Sequence, residues 1–214
     1  MDKISIIIRN RNESEYIGFA IQSCLDFFDK PEIIIIDNNS TDDSLQIVKL
    51  FNFENIKVLN IKDYSPGKSL NLGVKEATYE RILILSAHSQ INKLDKKFIF
   101  DRLDNSNDVA IFGNQIPIYR GKKITKRYIW SHFVEDEIHN MHSDIEDRQF
   151  LHNAFCFYRK SILKQYPFDE KLSGKEDRYW AINMVKKGYK YLYTNKICCN
   201  HFWTTNGATW KGLA

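Results

Sequence analysis

Two rhythms of apolar residues alternate through the first half of the chain. Residues 5–8 (SIII) form a short continuous apolar run, the pattern of a strand buried on both faces. Residues 32–37 (EIIIID), 56–61 (IKVLNI) and 81–86 (RILILS) repeat it. Between these runs the period lengthens to that of a helix. Tyr16, Ile17, Ala20, Ile21, Cys24 and Leu25 fall on one face, and Asn12 and Glu15 before them have the spacing of a capping box. Ser40 and Asp43 are expected to cap a second helix carrying Leu45, Val48 and Leu50. Pro66 and Gly67 precede a third, carrying Leu70, Val74 and Ala77. Strand and helix alternating at this spacing predict parallel βαβ units.

The second half is less regular. Residues 108–119 read as a strand pair or one strand extended past Pro117. Residues 120–152 are polar and irregular, with Trp130 and Phe133 among the charges. Residues 155–163 resume strand then helix. A helix is expected from near Glu176, with Trp180, Met184 and Val185 inward and Gly188 as its stop. Residues 190–195 (KYLYTN) follow as a strand, then a tail bearing His201, Trp203 and Trp210, the tryptophans being candidates for a lid.

Composition narrows the class without choosing a function. Of 214 residues, 43% are hydrophobic and 27% charged, which excludes a disordered chain and allows one full core. The net charge of +4 fits an anionic small molecule as well as a weak membrane or nucleic-acid contact. Cys24, Cys156, Cys198 and Cys199 make no CxxC pair and no zinc-ligand spacing, so reduced cytosolic thiols are expected. The apolar run after Lys3 is too short for a signal peptide or membrane span. A cytoplasmic protein is expected.

In parallel α/β sheets, ligands bind at the carboxyl ends of the strands. Here those ends read RNRNE, DNNSTDD, DYSPGKS and SAHSQ, where polar residues concentrate. Gly67 and Lys68 at a helix start suit an anion, but GxxxxGK[ST] is absent, which disfavours a P-loop ATPase. His139 and His142 are three apart, as on one helix face, with no third ligand at a matching spacing.

Four stretches together resemble the family-2-type inverting glycosyltransferases with a GT-A fold. They are SIIIRNRNESEYIGFAIQS, IIIIDNNSTDDSLQIVK, YSPGKSLNLGVKEATYERILILSAHS and FDEKLSGKEDRYWAINMVKKGYK. The resemblance runs from about Ile4 to His201. It implies a single GT-A (Rossmann-like) α/β domain over 1–214, with a mostly parallel central sheet flanked by helices. Residues 1–118 would bind the nucleotide-sugar, and 119–214 would hold the acceptor and catalytic half. It further implies inverting transfer from a nucleotide-sugar, UDP- or dTDP-linked, to a hydroxyl of a glycan or lipid-linked acceptor. No nucleic acid takes part, and peripheral association with the inner face of a membrane is compatible with such an acceptor.

Site residues follow by position. Asp177, beside Glu176, matches the general base, which must face the acceptor hydroxyl. Asp37 matches an acid that accepts a hydrogen bond from the base, and it is followed by Asn38 and Asn39 where a second acid is usual. Glu13, Gly67, Lys68 and Asn71 match nucleotide-side positions. Arg9, Asn10 and Arg11 depart from the usual proline and aromatic or threonine, and they offer charge-assisted contacts to phosphate. Asn114 stands where an arginine is common. The Asp-x-Asp motif that holds Mg²⁺ or Mn²⁺ is replaced by Ser86, Ala87 and His88. His88 and His201 become the candidate metal ligands, with weak or absent Mg²⁺ dependence expected. A nucleotidyltransferase, or a nucleotide- or glycan-binding domain without turnover, are the rival readings.

Overall fold

The computed structural model describes residues 2–123, 133 and 136–205. Trp130 and Trp210 lie outside the described residues. The elements run β1 (Ile4–Asn10), α1 (Ile17–Phe27), β2 (Glu32–Asp37), α2 (Ser44–Leu50), β3 (Ile56–Asn60), α3 (Pro66–Glu76) and β4 (Arg81–Ser86). Then come β5 (Ser89–Leu94), α4 (Lys96–Asn105), β6 (Asp108–Tyr119), β7 (Lys122–Lys123), β8 (Glu137–His139), β9 (His142–Ser143) and β10 (Arg148–Gln149). The last are β11 (Phe155–Arg159), α5 (Lys160–Gln165), α6 (Glu176–Lys186) and β12 (Lys190–Phe202).

The main sheet has the order β3-β2-β1-β4-β11-β6-β12-β5, with β7 on β6 and β8 on β12. It is parallel from β3 to β4. Beyond that it is mixed: β11 runs antiparallel to both β4 and β6, β12 is parallel to β6, and β5 is antiparallel to β12. The continuous apolar runs are explained by two cores. Ile4, Ile6 and Ile8 pack with Ile33, Ile35, Leu83 and Leu85 beneath α1, α2 and α4. Ile7, Ile34, Ile36, Ile82 and Ile84 pack beneath α3, α5 and α6. Alternation along β1 therefore puts Arg9 on the same face as Ile7, toward α3 and α6.

Several local expectations are corrected. Asn12 and Glu15 form no capping box: α1 starts at Ile17 after Tyr16, with no side-chain cap. Asn12 instead adopts φ 52°, and its Oδ1 accepts the Thr41 N–H at 2.7 Å, tying the first loop to the second. Ser40 does not cap α2. It accepts the Asn12 N–H at 3.0 Å and donates to Asp37 at 2.6 Å, and Asp43 stands at the N-cap without a side-chain bond. Leu50 is 82% exposed. Of the two readings of residues 108–119, the structure has one strand running past Pro117. β12 extends to Phe202, so His201 lies within a strand and not in a tail. His139 and His142 lie on β8 and β9 rather than a helix, and His139 Nε2 meets Asp108 Oδ1 at 2.9 Å.

The sixth helix begins as expected, while the third begins at Pro66 and not after Gly67. Ser65 caps α3 by accepting the Lys68 N–H, with Pro66 first in the helix. α6 starts at Glu176 after Lys175 at φ 60°, and Gly188 at φ 83° ends it. Among the described residues, no helix is long and apolar enough to cross a membrane.

Candidate active site

A cavity of about 470 Å³ opens at the carboxyl ends of β1 and β4. Its walls come from four places. The end of β1 gives Arg9, Asn10, Arg11 and Glu13, and the end of β4 gives Ser86 and His88. The approach to β11 gives His152, Asn153 and Ala154, and the start of α6 gives Lys175, Glu176, Asp177 and Arg178. Asn38, Tyr64, Pro66 and Gly174 complete it. Residues as distant in sequence as Arg9 and Glu176 thus share one wall, where Arg9 Nη1 donates to Glu176 Oε1 at 3.0 Å.

The two acids at the α6 start are 5% exposed. Asp177 Oδ2 accepts from the Asn153 N–H at 3.0 Å and from Arg178 Nη1 at 2.9 Å, while Oδ1 accepts the Arg178 N–H at 2.9 Å. Three donors fix the carboxylate, out of about four lone-pair positions. Arg178 is held in turn by the Leu151 carbonyl at 3.1 Å and lies 4.0 Å over the Phe150 ring. Burial disfavours the charge on Arg9. Glu176, Tyr64 and Asp177 more than offset it, so its pKa is raised and the guanidinium stays charged.

The third group is a chain of histidines. Glu13 Oε1 lies 3.2 Å from His88 Nδ1, and Thr204 Oγ1 donates to the same oxygen at 3.3 Å. His88 Nε2 is 3.4 Å from Ser86 Oγ. His88 stacks on His201 with centroids 5.0 Å apart and planes 18° apart. Gln115 then bridges His201 and His152: its Oε1 is 2.9 Å from His201 Nδ1, and its Nε2 is 2.9 Å from His152 Nδ1. The amide sets both tautomers. His152 Nδ1 accepts from Gln115 and from the Ala154 N–H at 3.3 Å, so its proton is on Nε2. His201 donates through Nδ1. Burial, then Arg178, Arg9 and His88, push the His152 pKa well below the ordinary value. Burial, then His88 and His152, do the same for His201. Both rings are neutral.

The remaining expected residues lie outside this wall. Asp37 is fully buried, and its oxygens accept from Asn10, from the Ser40 hydroxyl and from the Ser40 N–H. Asn38 of that turn lines the cavity. Asn39 is exposed at φ 51°. Lys68 Nζ pairs with Asp63. Asn71 accepts the Phe168 N–H at 3.0 Å and donates to the Phe168 carbonyl at 2.9 Å, clamping the loop after α5. A Cβ on Gly67 would lie 2.3 Å from the Asp169 carbonyl oxygen, so this glycine admits the same loop. Trp203 packs edge-on against Tyr119 at 5.3 Å.

His88 and His201 are the expected metal ligands, and their chemistry and geometry suit that role poorly. Mg²⁺ and Mn²⁺ prefer oxygen ligands, which a serine hydroxyl and two imidazoles supply poorly. Imidazole lone pairs lie in the ring plane, so the stacked rings aim theirs in near-parallel planes and not at one ion. His201 Nδ1 is already engaged with Gln115. Among the described residues, no three His, Cys, Asp or Glu side chains gather as a ligand set. The residues do not fit a hard cation held by the protein.

Sequence reasoning missed Gln115, His152, Asn153, Arg178, Tyr64 and Lys175. Strand register was the signal for two of them. β11 is antiparallel to β4 with Phe155 opposite Leu85, so the residues before β11 lie across from the residues after β4.

A sheet covered on both faces, with a polar cavity at the ends of its parallel strands and two acids at a facing helix start, has the GT-A architecture. A crystal structure of S. aureus TarS in complex with UDP-GlcNAc aligns with 100% of this chain and 62% of that chain, with a TM-score of 0.74 at 24% identity. The profile of glycosyl transferase family 2 matches residues 5–167, and the chain belongs to that family. Among its relatives is the Methanococcus voltae dolichyl N-acetyl-alpha-D-glucosaminyl phosphate 3-beta-D-2,3-diacetamido-2,3-dideoxy-beta-D-glucuronosyltransferase. It is 35% identical over 236 residues, covering 95% of this chain and 68% of its own length. The O-antigen chain rhamnosyltransferase WbaN of Salmonella anatum is 24% identical over 177 residues, covering 79% of this chain and 56% of its own. The chain spans between 56% and 66% of the length of the first relatives it matches.

Proposed function

We propose that this chain is an inverting glycosyltransferase that moves a sugar from a UDP- or dTDP-linked donor to a hydroxyl of a glycan or lipid-linked glycan acceptor. One observation carries the reading: the α6 acids and the ends of β1 and β4 line a single cavity. Inverting transfer needs a donor held by its diphosphate and a carboxylate facing the acceptor oxygen on the opposite side of the sugar. Asp177, which lines the cavity, is assigned the second task. It takes the proton of the acceptor hydroxyl as the oxygen attacks the anomeric carbon and the bond to the diphosphate breaks. Glu176 holds Arg9 at the cavity wall.

The TarS complex with UDP-GlcNAc supports the donor class, and the dolichyl-phosphate-linked acceptor in the name of the Methanococcus relative supports the acceptor class. The acceptor would enter from the side of residues 119–214, with residues 1–118 on the donor side. A peripheral position at the inner face of a membrane fits such an acceptor.

Calorimetric titration with UDP, dTDP, CMP and GDP tests the donor assignment. UDP or dTDP should bind and the others not. Preference for GDP or CMP would contradict it.

A further inference from the structure

Transfer from a nucleotide-sugar leaves a diphosphate with growing negative charge, and that charge needs a partner. The residues after β4 do not fit a protein-held divalent cation. The parallel register of β1 and β4 pairs Arg9 with Ser86. Both lie on the sheet face toward α3 and α6, and both line the cavity. A guanidinium therefore emerges beside the first position of the replaced metal motif. It is anchored, with Nη1 on Glu176 Oε1 at 3.0 Å, and its side chain is 24% exposed. Glu176 occupies only part of a fork of five N–H groups, whose planar geometry suits phosphate oxygens. A divalent ion next to Ser86 would stand against this fixed positive charge.

Arg11 and Lys175 also line the cavity, and two other nearby cations are less suited. Arg178 is buried between Asp177, the Leu151 carbonyl and Phe150. Lys68 is paired with Asp63 and does not line the cavity.

We propose that Arg9 is a built-in counter-charge for the donor diphosphate, taking the place of a divalent cation. The proposal rests on the donor reading above. It assigns a cause to the departure at both motifs: arginine at the end of β1 and the loss of acids after β4 are one change, not two.

The test compares uridine with UDP, and thymidine with dTDP, by calorimetry in EDTA and again with Mn²⁺ or Mg²⁺. The diphosphate should bind about 100-fold tighter than its nucleoside in EDTA, with metal changing this by less than about two-fold. Arg9→Met should bring the diphosphate down to the level of the nucleoside and leave nucleoside affinity unchanged. Arg9→Lys should recover part of the difference. Should Arg9→Met fail to fold because Glu176 is left buried and unpaired, Arg9→Met with Glu176→Gln removes both charges and carries the same expectation. A diphosphate advantage that appears only with metal, or one that survives loss of Arg9 in a folded protein, overturns the inference alone. If neither nucleoside nor diphosphate binds, the donor reading falls and the inference with it.

Discussion

Gln115 joins two histidines that lie 37 and 86 residues from it in sequence, and it is 2% exposed. Its amide is oriented by what it must do: one end donates to His152, the other accepts from His201. Gln115→Met keeps the volume but leaves two buried imidazoles each short of a partner, at a cost of about 1–3 kcal/mol each. Urea unfolding should show a loss of about 2–6 kcal/mol in all, and an unchanged midpoint would contradict the assignment. None of this was legible from the chain. His201 drew notice for its place after the last strand, and His152 and Gln115 carried no motif at all. Asp177 and Arg9 were legible as cavity residues, the first because GKEDRYWA resembles the family's late acidic pair and the second because it departs from the family's usual pattern. Asp37 is read by resemblance as an acceptor for the nucleotide base, and Asn10 and Ser40 donate to its oxygens.

At the scale of elements, the starts of α3 and α6 are linked by the loop from Phe168 to Glu170. Asn71 clamps that loop, Ser65 donates to the Glu170 carbonyl at 2.7 Å, and Gly67 lies beneath Asp169. Gly67 and Asn71, assigned by resemblance to the nucleotide side, thus contact the loop that leads into α6. Gly67→Ala should force this loop outward, costing about 1–3 kcal/mol in stability. Transfer rate should fall more than diphosphate affinity, read as a drop in kcat alongside a nearly constant Kd for UDP. An equal loss in both would place Gly67 at the nucleotide itself. The failed capping signals have a related cause. Asn12 and Ser40 have side chains suited to helix caps, but the ends of β1 and β2 are adjacent, so these side chains bond across to each other's loops. Sequence spacing alone cannot show which partner wins.

Across the whole molecule, the parallel half of the sheet was readable because each strand is followed closely by its own helix. The other half is woven from distant segments: β11 lies between β4 and β6, and β12 between β6 and β5. β5 and α4 went unread because β5 has mixed polarity and its pairing partner, β12, follows about a hundred residues later. The buried neutral histidines give the fold a pH signature. Above about 6.5, the ordinary histidine value, both folded and unfolded chains hold these rings neutral, and stability is full. Below it the unfolded chain gains protons that the folded one refuses, so stability falls as pH drops. The slope is about 1.4 kcal/mol per pH unit for each histidine. Urea midpoints between about pH 7 and 5 should decline, and His152→Gln should flatten the decline by about half.

The central claim is that Asp177 drives single-displacement transfer from a bound nucleotide-sugar. Proton NMR of the sugar first released from an α-linked donor, by transfer or by slow hydrolysis, tests it most directly. The account predicts the β anomer from the native chain. It predicts a rate about 10²–10⁴-fold lower in Asp177→Asn, with nucleotide affinity preserved. Retention of the α configuration, or an Asp177→Asn variant as fast as the native chain, would contradict it.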